Sequence, residues 1–136
     1  MSRMLFVNLP VADVAASRSF FTGLGFDINE TFSDETTISV VINELTTVMM
    51  LQTDRFTSFL ADGGIVDTTQ AREALFALSA DSREAVDALA DAALAAGATV
   101  WTDAQDHGFM YGRSFRDLDG HAWEIVWMDP AQMPGE

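Results

Sequence analysis

The chain contains no cysteine and no lysine, and its 136 residues include three prolines and a single tyrosine. Without cysteine there is no disulfide framework, no thiol nucleophile and no thiolate-bound zinc or iron–sulfur centre. Without lysine, Schiff-base chemistry is excluded. No apolar run approaches the roughly 18 residues needed to span a bilayer as a helix. Residues 1–10 carry one Arg and no apolar stretch ahead of a small-residue cleavage site, so no signal peptide is expected and the expected location is cytoplasmic. Basic charge is also scarce: seven Arg stand against 14 Asp and 7 Glu, for a formal charge of -14. That balance repels phosphate backbones and anionic lipid, which argues against nucleic acid and membrane as partners. A hydrophobic share of 49% over this length suits one compact domain that buries roughly two thirds of its unfolded surface.

What is present is ordered punctuation. Residues 4–11 alternate as a strand; Asp13 then stands as an N-cap before a helix over 14–24, with Gly25 as its stop. Val14, Phe20, Phe21 and Leu24 form its apolar stripe. Strand-like stretches follow at 26–32, 36–42 and 46–52. The pattern dissolves over 53–70, where a short helix at 55–60 is the one expected element and Asp62-Gly63-Gly64 a turn. The order then repeats: a strand over 74–80, a helix capped by Asp81 with Glu84 completing a capping box and Gly97 as the stop, and strands at 99–102, 109–115 and 121–128. Asp13 to Asp81 gives an offset of 68 residues. The fold class is therefore α+β, two βαβββ modules (1–53 and 72–130) joined by a connector (54–71) within a single domain, 1–136. Each module has one helix to cover one face of its sheet, leaving the other face for a cavity.

The run from Asp117 to Glu124 is the most informative local feature, reading as a tight Asp-Gly hairpin that feeds a strand. Alternation puts Trp123, Ile125 and Trp127 on one face and Ala122, Glu124 and Val126 on the other. If the Trp face packs on a helix, Glu124 points into the cleft; otherwise it faces solvent or pairs with an Arg.

These features together resemble the vicinal oxygen chelate superfamily, which includes glyoxalase I, extradiol dioxygenases and bleomycin- and fosfomycin-resistance proteins. The resemblance rests on residues 7–13, on Phe20-Phe21 with Leu24-Gly25-Phe26, and on the 117–124 hairpin, where Leu118 stands in place of the usual Pro. The stretches 111–115 and 123–130 are similar to a bacterial subgroup described only as glyoxalase-like. In metal-using relatives each module supplies one ligand from its first strand and one from its last. The resemblance carries those places onto Phe6, Met50, Leu75 and Glu124. Only Glu124 can bind a hard cation; Phe and Leu have no donor and the Met thioether is soft. Catalytic metal sites keep about three protein ligands, so no metal and no other cofactor is expected.

Phe6, Met50 and Leu75 then read either as sheet core or as the lining of a ligand cavity, with Asn8 beside them. His121 reads as a turn residue and His107 as exposed loop; alternatively His107 edges the cleft with Tyr111 and Arg113, supplying a proton donor or an anion clamp. Arg113, set among strand residues, needs a carboxylate, and Glu124 or a ligand's own would serve. Asp87 and Asp91 fall on the wet side of the second helix. The expected function is binding of a small molecule in a cleft between modules or across the dimer, with a degenerate metal site, as a homodimer like others of the superfamily. The rival reading is an enzyme, a lactoylglutathione lyase-like lyase or isomerase or a dioxygenase, using a displaced metal or Glu124 as catalytic base. A third is a resistance protein that sequesters a cationic drug.

Overall fold

A computed structural model describes residues 2–132; Met1 and residues 133–136, the ends of the expected domain, lie outside them. The chain forms two compact units, residues 1–67 and 68–136.

In the first unit, β1 (Leu5–Val11) leads into α1 (Val14–Gly23), then β2 (Asp27–Ile28), a 3-10 turn (Glu30–Phe32), β3 (Thr37–Val41), β4 (Thr46–Gln52) and α2 (Thr53–Ser58). The sheet order is β1-β4-β3-β2, with β1 parallel to β4 and the other pairs antiparallel. Asp13 caps α1, its carboxylate accepting from Ala16 N at 3.1 Å. The helix ends where Gly25 turns to φ +97, which lets Phe26 N reach Phe21 O at 3.1 Å and Gly25 N reach Thr22 O at 3.0 Å. Val14, Phe20 and Phe21 are buried, and the Phe20 and Phe21 rings meet edge to face 5.0 Å apart.

The second unit repeats this plan. It runs β5 (Leu75–Ser79), α3 (Arg83–Ala95), β6 (Thr99–Val100), β7 (Gln105–Asp106), β8 (Met110–Arg116) and β9 (Ala122–Met128), closing on a 3-10 turn (Pro130–Gln132). The sheet order is β5-β9-β8-β6, β5 parallel to β9, with β7 on β8 beyond that path. Gly97, at φ +112, ends α3 with the same pair of bonds that Gly25 makes possible in α1: Ala98 N to Ala93 O and Gly97 N to Leu94 O.

Several elements differ from the sequence reading. The cap of α3 is Ser82, whose Oγ accepts from Ala85 N at 3.0 Å, and not Asp81; the repeat offset is therefore 69, from Asp13 to Ser82. The strand expected over 26–32 shrinks to two residues because the Asn29 side chain accepts from Thr31 N and closes a 3-10 turn instead. The strand expected over 99–102 stops at Val100, since Ser114 Oγ takes Thr102 N at 3.0 Å. The two-residue strand β7 has no apolar alternation to announce it. The Asp-Gly hairpin is a three-residue loop: Asp117 N donates to His121 O at 2.9 Å, Gly120 N donates to Asp117 O at 3.1 Å, and Gly120 adopts φ +84.

Candidate functional site

Residues paired directly across a ladder share a face, so register assigns every side chain of each sheet. In the second unit Ala77, Glu124 and Ser114 form one cross-strand row, flanked by Ser79, Val126 and Gly112. The alternate row is Leu78, Ile125 and Arg113, flanked by Phe76, Trp123 and Phe115 and by Trp127 and Tyr111. Helix α3 lies on this second face, as its Asp87 bonds to Tyr111 and Arg113. Trp123 and Ile125 are buried there, with Phe76 stacked 5.0 Å from Trp123. The row carrying Glu124 therefore lies on the face opposite α3, the open face. Ala77 and Ser79 are exposed and Glu124 is half-buried. Among the described residues its carboxylate has no hydrogen-bond or ion-pair partner. A cavity of about 500 Å³ lies at the end of β5 and β9, lined by residues 77–81 and 126–128 with Pro130; Glu124 is not among its walls.

The first unit matches row for row. Leu9 pairs with Met50 as Leu78 pairs with Ile125, and Asn8 pairs with Met49 as Ala77 pairs with Glu124. The counterpart of Glu124 is thus Met49, with Ser39 in the place of Ser114. Met50 belongs to the other face, fully buried among Ile38, Val40 and Val48. The sequence assignment of Met50 to the ligand position was one residue off. Four consecutive apolar residues, 48–51, carry no alternation from which the face could be read. Asn8 is exposed on the open face, where Phe6 is 55% exposed; Leu75, its counterpart in the second unit, is 63% exposed. Neither residue is core.

The polar residues expected to edge the site divide. Arg113 is on the α3 face, its Nη1 3.0 Å from Asp87 Oδ1 and 2.8 Å from Asp91 Oδ1. The Tyr111 hydroxyl donates to Asp87 Oδ1 at 2.6 Å. Glu124 is therefore not the carboxylate that satisfies Arg113, and Asp87 is not simply on the wet side of its helix. The bond from Tyr111, followed by that from Arg113, holds the Asp87 carboxyl below its ordinary pKa, and the same bond raises the Tyr111 phenol. Partial burial works to lower the Arg113 pKa, but the bonds to Asp87 and Asp91 outweigh it and the net shift is upward. Beside them Arg83 forks onto Asp106 with two bonds of 2.9 Å and lies 5.2 Å from the ring centres of Tyr111 and Trp127. The Arg83 bond pulls the Asp106 carboxyl down to about 2. His107 sits in the exposed turn between β7 and β8, its ring 6.5 Å from that of Phe109. The structure thus brings Tyr111 and Arg113 together with α3, and brings neither to Glu124.

The positions that would hold a metal, from the first strand and the last of each unit, are Phe6 and Met49 in one and Leu75 and Glu124 in the other. Taken unit by unit they offer no hard donor in the first and one in the second, short of the three or so that a catalytic cation keeps. Among the described residues no group of three or more His, Asp or Glu is placed to hold a metal ion, and no helix is long and apolar enough to cross a membrane.

Comparison with known proteins agrees with this architecture. A family model described as the Glyoxalase/Bleomycin resistance protein/Dioxygenase superfamily matches residues 3–125. No curated protein matches the chain. Among solved structures, a hypothetical protein from S. aureus is 28% identical over 93% of this chain and 95% of its own, with a TM-score of 0.78. A glyoxalase-related enzyme from Fulvimarina pelagi is 21% identical over 93% of this chain and 88% of its own, with a TM-score of 0.76. A lactoylglutathione lyase from Agrobacterium tumefaciens is 16% identical over 98% of each chain, with a TM-score of 0.68.

Proposed function

We propose, for a chain that belongs to the Glyoxalase/Bleomycin resistance protein/Dioxygenase superfamily, that it binds a small organic molecule on the open faces of its sheets without a metal ion. The observation that carries this reading is the donor set. Phe6, Met49 and Leu75 stand where ligands would be needed, and Glu124 is the sole carboxylate in those places. Phe6 and Leu75 are exposed, so what replaces the ligands is apolar surface available to a ligand's hydrocarbon part, worth roughly 25 cal/mol for each Å² covered. Glu124, having no hydrogen-bond or ion-pair partner among the described residues, is suited to accept a hydrogen bond from a ligand hydroxyl or amine.

The same lack of a partner favours a second reading, in which Glu124 is a metal-free general base. Glu124→Gln separates the two: it slows turnover if the carboxylate takes a proton, and weakens binding with no turnover to lose if the carboxylate is an anchor. The lyase chemistry named for the Agrobacterium tumefaciens neighbour is the direct test of metal independence. With the hemithioacetal of methylglyoxal and glutathione, the purified protein is expected to show no turnover above the uncatalysed rate, whether or not Zn, Ni, Mn or Fe is added. Turnover that rises with one of those ions would contradict the proposal.

A further inference from the structure

The first unit contains a pocket of about 330 Å³ at the end of its open face, where the sheet residues Asn8, Thr37, Met49 and Leu51 meet Arg55 and Phe59 from α2 and its C-terminal end. Its size is at the lower end of the range that holds small ligands, roughly 300–1,000 Å³. Two features mark it as more than a surface dent. Thr37 is 6% exposed, and among the described residues its hydroxyl has no hydrogen-bond partner. Buried hydroxyls are rarely left unpaired, because the lost hydration is not replaced. In addition Phe59 and Phe32, which also line the pocket, are 64% and 66% exposed, so large apolar rings stand open to water at a place that also holds polar groups.

The polar groups define the chemistry. Arg55 offers a planar cation over the Phe59 ring, 5.2 Å from its centre, and forks well onto a carboxylate. Asp34 lines the same pocket, its Oδ1 already accepting from Thr36 N and Thr36 Oγ1. As a carboxylate it can only accept, so a neighbouring ligand oxygen must carry a hydrogen. The Thr37 hydroxyl, buried and without a partner among the described residues, can both donate and accept. Met49, Leu51 and the two Phe rings leave the remaining walls apolar.

We propose that this pocket binds a small hydroxycarboxylate with an apolar body. The ligand's carboxylate lies on Arg55, its hydroxyl between Thr37 and Asp34, and its hydrocarbon part against Met49, Leu51 and Phe59. The assignment rests on reading the open sheet face as the binding face, and names the ligand class for one part of it.

Three matched probes test the assignment by titration followed with backbone amide NMR: 3-phenyllactate, 3-phenylpropanoate, which lacks the hydroxyl, and 3-phenyllactamide, which lacks the charge. 3-Phenyllactate is expected to bind about tenfold or more tightly than either analogue, the worth of one well-placed polar contact, and to shift the amides of Asn8, Thr37 and Met49. Arg55→Met should bring 3-phenyllactate down to the affinity of the amide while leaving the amide unchanged. Thr37→Val keeps nearly the same shape and removes an unpaired group, so its melting temperature should hold or rise while the preference for the hydroxyl disappears. No binding of 3-phenyllactate at millimolar concentration, equal affinity for all three probes, or shifts confined to residues remote from Thr37 would each overturn the pocket. None of those results bears on metal independence, which fails only if the protein carries a metal or shows metal-dependent turnover.

Discussion

Replacing Asp117 by Ala is expected to destabilise the chain by about 2–3 kcal/mol, a loss on the order of 10 °C in Tm for a protein of this size. Asp117 is 7% exposed and acts as the hub of the β8–β9 loop. Its Oδ1 accepts from Asp119 N at 2.9 Å and His121 N at 3.0 Å, and its Oδ2 accepts from Trp123 Nε1 at 2.9 Å. Burial raises the pKa of this carboxyl, with the nearby His121 and the bonds from Trp123 and the loop amides working the other way. Ala removes the buried charge and so relieves its desolvation. It also removes the acceptor of three bonds, from the Asp119 and His121 amides and from the indole N–H of Trp123, which is 2% exposed. Losing three bonds to a buried carboxylate outweighs that relief. Asp117→Asn should fall between, because an amide nitrogen cannot accept the Trp123 bond. Thermal melts of both variants check the order; an Ala variant within about 0.5 kcal/mol of the parent, the usual range for an unimportant surface change, would show that the loop is held by something else.

The second large effect separates neighbouring methionines. Met50→Ala is expected to cost about 2–5 kcal/mol, since it empties a fully buried site on the face it shares with Ile38, Val40 and Val48. Met49→Ala, on the open face, should cost about 1 kcal/mol or less. Denaturant unfolding of the two variants side by side decides the register. Equal losses, or a larger loss for Met49, would show that β4 presents its side chains the other way and that Met49 is not the counterpart of Glu124.

The pair also shows where sequence stops being legible. Caps were readable because they depend on local chemistry: Asp13 accepting from Ala16 N, and Gly25 and Gly97 adopting the positive φ that ends each helix. The four strands of the first unit and four of the five in the second were readable from their strand-forming stretches between those stops, and β7 was not. The cap at Ser82 was missed because Asp81, directly before it, has an equally good capping side chain, and only backbone geometry chooses between them. The face of Met50 was illegible because residues 48–51 are all apolar, whereas the alternation around Glu124 had already separated it from Trp123 and Ile125. Tyr111 and Arg113 looked like cleft residues because a strand pattern does not say which face a helix will cover; Asp87 and Asp91 decided that, from a distance in sequence no periodicity spans. The pocket at Thr37 depends on α2 and the turn at Glu30–Phe32 meeting one end of the sheet, a tertiary arrangement with no local signature.

On the proposed reading, Phe6, Met49 and Leu75 put apolar side chains where metal ligands would be needed. Elemental analysis of the purified, dialysed protein is then expected to find no stoichiometric Zn, Ni, Mn or Fe. About one ion per chain, retained through dialysis and lost on Glu124→Gln, would overturn the proposal.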